Sequence, residues 1–415
     1  MRNLSCMLGV LLVLAVASVC RADEGVVGIR ASGMVSYSIL QLVKAGGKNV
    51  EYRYFTAPST AFERAWVHTV EGELGIAARV NRRLLLDIGY RAHIANLPWE
   101  GGEFGNQREF TNSGLTRAKA VVSLGDIDNP AVVVTGGIFP FTYNSDAKDL
   151  GEYLLMSGCY PGYVYSGFES FKLAGIHVHH RAAEIYAHDL LVTSEIVQVP
   201  YWDFSLSYLG ELRAADPLTV GAGVMFYRLL PVKPDNTTPE SPATTPGGDE
   251  VQLTLRGVKA MVRASFDIKK IVPMPLLGEH DLKLYAEAAV LGVKDYEYFY
   301  PDITERIPVM AGFNVPAFGL LDYISAEVEW YGSPHDNNPI PEVKAYMVGH
   351  PDRGHGDDVK WAVSLQRSLG DNVKIQGRAA SDHLRFDDGL GTTEVYEWIV
   401  APDQWYWSLK GIFVF

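Results

Sequence analysis

Long apolar runs are missing from this sequence. Beyond residue 22, no stretch approaches the roughly twenty apolar residues that a membrane-spanning helix needs. The longest apolar run, at residues 7–19, is only about a dozen residues long. This absence excludes a helical membrane protein.

Cysteine is also scarce. The chain holds 3 cysteines, and two of them, Cys6 and Cys20, belong to the N-terminal apolar segment. If that segment is removed, Cys159 remains alone, and a single cysteine cannot close an internal disulfide. The fold must therefore be stabilised without a disulfide framework.

Basic residues are outnumbered by acidic ones. The chain has 36 Lys and Arg residues against 49 Asp and Glu residues, a net charge of −13. A nucleic-acid-binding protein would show a basic patch or stripe, whereas the charges here are scattered along the chain. We therefore expect no nucleic-acid partner.

The N-terminus has the pattern of an export signal. Arg2 precedes the apolar run, and Cys20 and Ala22 place small residues at the two positions that a signal peptidase reads. Asp23 and Glu24 would then open the mature chain. The sequence predicts a cleaved signal peptide at residues 1–22 and a single mature domain at residues 23–415.

The strongest signal in the mature chain is a period of two. In residues 201–213, Trp202 and Phe204 alternate with Asp203 and Ser205, and the alternation continues to Arg213. Successive side chains of a strand point to opposite faces, so one face is apolar and the other is polar. Residues 83–95, 281–293 and 325–331 repeat the pattern, which indicates β-strands throughout.

Roughly sixteen such segments follow one another, each near the ten residues that a tilted strand needs to cross a bilayer. We expect them to begin near Val26, Ala65, Arg82, Gly114, Ala131, Phe171, Ala183, Tyr201, Pro217, Gln252, Asp281, Arg306, Leu320, Val359, Asn372 and Gln404. Short and long connections alternate between them, as in barrels with short periplasmic turns and long outer loops. The link at 267–280 breaks the alternation, so either that turn is enlarged or the strand register shifts there. The prediction is an all-β fold, a transmembrane antiparallel β-barrel of about 16 strands (14–18).

The C-terminus carries a more specific pattern. Its apolar residues fall on one face of the last predicted strand, and the chain ends on an aromatic residue: Trp405, Trp407, Leu409, Gly411, Phe413 and Phe415. This resembles the terminal signature of Gram-negative outer-membrane β-barrel proteins, although Gly411 sits one residue nearer the end than the usual glycine. The resemblance implies that the barrel-insertion machinery reads Phe415, and that outer-membrane lipid and lipopolysaccharide surround the barrel.

The predicted strand number is similar to that of the general and substrate-selective porins. That resemblance implies a water-filled lumen, a homotrimer, and an inward-folded loop after the fifth strand, here residues 142–169. Asp146, Asp149 and Glu152 would then face the constriction. The alternative is an outer surface loop whose acids are simply solvated.

Alternation also predicts which charges line the lumen. The wall opposite the loop would carry Asp87, Arg91, Arg117 and Lys119. Basic residues there would face the loop acids across a narrow gap, and the resulting transverse electric field would select charged or dipolar solutes. Charges in any lumen can instead pair with one another and stabilise its polar interior. Further inward charges include Glu71, Glu73, Lys283, Glu287, Glu327, Glu329, Lys360, Arg378 and Lys410.

Metal and catalytic sites find weaker support. His177 and His179 share one strand face, but no third ligand is fixed by spacing, so lumen polarity accounts for them more simply. The sequence has none of the nucleophile, phosphate-loop or zinc motifs, and Cys159 has no neighbouring base fixed in sequence. We expect no cofactor, no metal and no enzyme activity.

The sequence thus predicts an outer-membrane porin, a passive channel for small hydrophilic solutes or ions. Two rivals remain. One is a non-conducting structural or adhesive barrel that acts through its surface loops; the other is an outer-membrane enzyme or lipid transporter. The solute, the preference between cations and anions, and any gating by loops are left open by the sequence.

Overall fold

The computed structural model describes residues 28–46, 49–52, 55–58, 63–98, 107–158, 160–161, 164, 171–196, 202–232, 240–245, 247–272, 276–296, 298–339, 349–350, 358–385 and 397–415. The predicted signal peptide lies outside these residues and stays a prediction. Among the described residues, no helix is long and apolar enough to cross a membrane.

Sixteen antiparallel strands form a closed barrel. They are β1 (Gly28–Lys44), β2 (Trp66–Arg79), β3 (Leu84–Pro98), β4 (Gln107–Gly125), β5 (Pro130–Phe141), β6 (Phe171–Ala183), β7 (Tyr186–Ser194), β8 (Phe204–Ala215), β9 (Leu218–Leu230), β10 (Gly257–Asp267), β11 (Lys283–Val290), β12 (Pro308–Val315), β13 (Tyr323–Tyr331), β14 (Val359–Leu369), β15 (Val373–Ser381) and β16 (Trp405–Val414). Each strand pairs with its neighbours in the chain, and β1 closes the barrel by pairing with both β2 and β16. The predicted all-β barrel of about 16 strands is confirmed.

The alternation of apolar and polar residues in the sequence corresponds to the outer and inner faces of the barrel. On β2, Val70 and Leu74 point outward and are 44% and 66% exposed, whereas Glu71 between them lies in the interior. Val262 and Val328 repeat the apolar exterior on β10 and β13. Since water would be a poor solvent for this surface, the exterior suits a hydrocarbon environment.

The two ends of the barrel differ. Short connections at 80–83, 126–129, 184–185, 216–217 and 370–372 lie at one end, and long loops lie at the other. The first and last described residues lie at the short-connection end, because Gly28 pairs with Arg79 and the N–H of Val414 donates to the carbonyl of Asn372. At the 80–83 turn, Asn81 Oδ1 accepts the N–H groups of Arg83 and Leu84 at 2.8 Å, which fixes a tight reversal.

The link between β10 and β11 is an enlarged turn rather than a register shift. Asp267 still pairs with Lys283 across the two strands, and a 3₁₀ helix (Ile268–Lys270) occupies part of the connection. Asp281, a buried residue later in the same connection, accepts the N–H groups of Ala317 at 3.0 Å and Phe318 at 3.2 Å with its carboxylate. These bonds tie the enlarged turn to the next connection at this end.

Two strand boundaries differ from the sequence prediction. β4 begins at Gln107, well before Gly114. The alternating segment near Gln252 belongs to a loop hairpin (Glu240–Thr244 with Glu250–Thr254), and β10 starts only at Gly257. The hairpin mimics a barrel strand because it buries alternate residues, Val251 and Leu253, against Tyr296, Phe299 and Tyr300 of another loop. Two smaller hairpins join Asn49–Tyr52 to Phe55–Pro58 and Asp336–Pro339 to Gly349–His350.

Candidate functional site: the lumen and its inward loops

The described part of the connection after β5, residues 142–158, packs inside the barrel. Tyr153 and Leu154 have no exposed surface and pack with Phe139, Leu173 and Leu191 on the inner face of β5, β6 and β7. An apolar core inside a barrel removes these side chains from water and fills part of the lumen. The loop therefore narrows the passage through the barrel.

Two wall carboxylates hold the backbone of this loop. Glu327 on β13 accepts the N–H groups of Lys148 at 2.6 Å and of Asp149 and Leu150 at 2.8 Å. Glu287 on β11 accepts the N–H of Tyr153 at 2.9 Å. Buried carboxylates need several donors to offset their desolvation, and loop amides need acceptors, so each group satisfies the other.

The loop acids are bound to the wall on which the loop packs. Asp146 accepts from Lys283 Nζ at 2.9 Å and from Ser265 Oγ at 2.6 Å. Burial raises the pKa of Asp146, but these two hydrogen bonds outweigh it and leave the pKa below its ordinary value. Asp149 forms an ion pair with Arg378 on β15, with 2.9 Å between Oδ1 and Nε, and also accepts from Ser364.

Glu152 points into the loop. Its carboxylate accepts the N–H of Tyr143 at 2.9 Å and that of Asn144, and so closes the loop on itself. Burial, with the nearby charge of Glu287, raises the pKa of Glu152 to about 8. Of the three predicted constriction acids, only Asp149 borders the remaining opening.

The opposite wall carries a ladder of paired charges. Arg91 lies 3.2 Å from Glu73, and Arg117 contacts both Glu73 and, at 2.9 Å, Asp87. Lys119 Nζ lies 3.8 Å from Asp87. Arg91 and Arg117 line the opening, whereas Asp87 and Lys119 stand beside it. The four predicted wall residues thus form one network across β2, β3 and β4.

A cavity of about 490 Å³ remains between the loop and the wall formed by β14–β16 and β1–β4. Basic side chains outnumber acidic ones around the cavity, with seven Lys and Arg residues against three acids. The bases are Arg91, Arg117, Lys148, Lys172, Arg378, Arg385 and Lys410, and the acids are Glu71, Glu73 and Asp149. A chain of net charge −13 therefore surrounds its lumen cavity with net positive charge.

A second inward segment follows β15, and the alternation of the strands did not predict it. Glu397, with no exposed side chain, binds Lys360 at 3.0 Å, Arg385 at 3.0 Å and His383 at 2.6 Å. Burial lowers the pKa of His383, but Glu329 and Glu397 outweigh it and raise the pKa to about 9. Burial raises the pKa of Glu397, but Lys360, Arg385 and His383 hold it far below its ordinary value. Lys360 and Glu329 were predicted to face inward, whereas His383, Arg385 and Glu397 lie outside the alternating strands.

The described fold and lumen define a closed sixteen-strand antiparallel β-barrel narrowed by inward loops. No family model matches the sequence, and no curated protein matches it. Solved structures do match. A mutant of the Rh. blastica porin is 11% identical, covers 94% of this chain and 100% of its own, and has a TM-score of 0.45.

A triple mutant of the Rhodopseudomonas blastica porin is likewise 11% identical over 94% of this chain and 100% of its own, with a TM-score of 0.43. These neighbours are porins, the family that the strand pattern resembles. Identities this low show at most a common fold, and the barrel described above rests on its own strand pairing.

Proposed function

We propose that this protein is a passive channel in a Gram-negative outer membrane for small hydrophilic solutes. One observation carries the proposal: a charge-lined cavity lies inside a closed barrel whose exterior is apolar. Sixteen strands make a barrel too wide for wall side chains alone to fill, so the inward loops set the size of the opening. No covalent chemistry is required of such a site.

The charges around the cavity favour anions over cations. Seven bases against three acids leave a positive surplus in a narrow space with low-dielectric walls. Three of the bases also pair with acids just outside this border, Arg117 with Asp87, Arg378 with Asp382 and Arg385 with Glu397, so the surplus is smaller than seven against three. The remaining surplus raises the local concentration of small anions and lowers that of cations.

Single-channel recording of the purified barrel in a planar bilayer, under a salt gradient, tests the channel activity and the anion preference separately. Stable conductance steps support a channel, and the sign of the reversal potential reports whether anions or cations carry the current. Silence from protein shown to be folded and inserted would contradict the channel and favour the structural or adhesive barrel. That alternative draws on the inward loops, which fill much of the lumen.

The expected partners follow from the same proposal. Outer-membrane lipid and lipopolysaccharide would cover the apolar exterior, and three copies of the chain would assemble into a homotrimer. Phe415 would be read by the insertion machinery before folding. In the folded barrel its N–H donates to Gly33 O at 2.9 Å, and Gly33 N–H donates to its carbonyl at 2.8 Å. Cross-linking in native membranes measures the number of copies.

A further inference from the structure

Three potential metal ligands meet on the lumen face of β6 and β7. Asp189 Oδ1 lies 2.6 Å from Nε2 of His177 and 2.8 Å from Nδ1 of His179. The three ligand atoms all lie within 4.8 Å of one another. Among the described residues, this is the one group of at least three His, Cys, Asp or Glu side chains with that spacing.

The hairpin itself brings the three side chains together. His179 on β6 pairs directly with Asp189 on β7. His177 lies two residues before His179 and therefore on the same face of β6. The short connection at 184–185, together with a β-bulge between Arg181 and Ala183, sets this register. The ring of Phe139 stacks on His177 at 6.0 Å, and that of Phe141 meets its edge at 4.9 Å. The site is thus held in place by packing before any ligand arrives.

The site is accessible from the lumen. The side chains of His177, His179 and Asp189 are 15%, 34% and 23% exposed. Along β6 the two histidines follow Leu173, which belongs to the apolar core beneath the loop, and they lead toward the short-connection end. None of the three borders the narrow cavity, so they form a separate site on the lumen wall.

We propose that His177, His179 and Asp189 bind a divalent transition-metal ion of the Zn²⁺ or Ni²⁺ class. Two imidazole nitrogens and one carboxylate oxygen suit these ions, whereas Ca²⁺ and Mg²⁺ require oxygen ligands. Ligand atoms of a tetrahedral zinc site stand about 3.3 Å apart, given metal bonds of about 2.0–2.1 Å. An ion would therefore have to spread the 2.6 Å and 2.8 Å separations between Asp189 and the two histidines by less than about 1 Å. Three protein ligands leave a coordination position for water or a solute.

The simpler alternative is that Asp189 serves only as a hydrogen-bond acceptor that orders the two imidazoles. A metal titration distinguishes the two interpretations.

Calorimetric titration of the folded barrel in detergent with Zn²⁺ alone should show one site per chain. His177→Ala and Asp189→Asn should each weaken binding at least about tenfold, because each removes one of three ligands.

His180 and His188 supply a matched control. Their ring nitrogens lie 2.9 Å apart on the opposite, outward face of the same two strands, next to Tyr208. The double variant with His180→Ala and His188→Ala should bind Zn²⁺ as the unaltered protein does. Heat-modifiable migration on a gel confirms that each variant is folded.

Co²⁺ gives a readout independent of affinity. Bound to the unaltered barrel, it should show a visible absorption band that Asp189→Asn shifts or abolishes. The proposal is wrong if the folded barrel takes up no Zn²⁺, if Asp189→Asn binds as tightly as the unaltered protein, or if only the outward-face variant loses binding. Since the titration needs no conductance, a silent channel that binds Zn²⁺ would contradict the proposed function and leave this site standing.

Discussion

Asp149 and Arg378 join the tip of the inward loop to the barrel wall, with 2.9 Å between the carboxylate oxygen and the guanidinium nitrogen. Both side chains also border the lumen cavity. The ion pair therefore lies where the position of the loop decides the size of the opening.

Asp149→Asn should loosen the loop tip and give larger, noisier conductance steps. The substitution removes the negative charge from a largely buried ion pair, and leaving a buried charged group without its partner costs on the order of 1–3 kcal/mol. Single-channel current records measure the effect. Asp128→Asn, the same change on an exposed turn at the other end of the barrel, should leave the steps unchanged. Identical records for both variants would contradict a holding role for Asp149.

Lys148→Glu should shift the reversal potential toward cation preference. It changes the border of the cavity from seven bases and three acids to six and four, and so halves the surplus. Lys270→Glu, at the short-connection end and outside the cavity border, carries the same charge change and serves as control. If the two variants shift the potential equally, the preference arises from the whole molecule rather than from the cavity.

The inward loop should be less stable at alkaline pH. Glu152 has a folded pKa of about 8 against an ordinary 4.5, so the folded protein binds more protons than the unfolded chain between these values. The free energy of unfolding therefore falls as pH rises from about 4.5 to about 8, and the loss is complete above that window. Proteolysis of the loop as a function of pH measures this, and Glu152→Gln should flatten the dependence. An unchanged pH profile in that variant would assign the dependence to other groups.

Val262→Arg should destabilise the barrel in lipid by about 2–4 kcal/mol, because it places a charge on the exterior near the middle of β10. Thr69→Arg, on the cavity side of β2, should cost much less because its charge meets water. Reversible unfolding in denaturant with lipid vesicles gives both values. Equal costs would contradict the assignment of outer and inner faces.

The fold was largely predictable because a period of two is a local signal. Alternation placed Glu71 inside without any knowledge of its partners, whereas the inward loop was expected only from the resemblance to porins. The alternation failed near Gln252, where a hairpin half-buried by other loops shows the same pattern as a barrel strand.

The contacts of the site were much less predictable, since they join residues distant in sequence. Glu327 was expected to line the lumen, but it binds the amides of Lys148 and Asp149 on a loop far earlier in the chain. The third ligand beside His177 could not be placed from the sequence. Counting back from the 184–185 turn puts Leu190 opposite His179, and only a β-bulge between Arg181 and Ala183 brings Asp189 there.

Glu327 and Glu287 hold the inward loop mainly by its main-chain amides. Main-chain amides are present whatever side chain a residue carries, proline excepted. The side chain of Lys148, which borders the cavity, can therefore vary while these anchors persist, whereas Leu150 is buried in the core and Asp149 pairs with Arg378. In evolutionary and engineering terms, the charge at this point of the cavity can change without any change to the barrel that carries the loop.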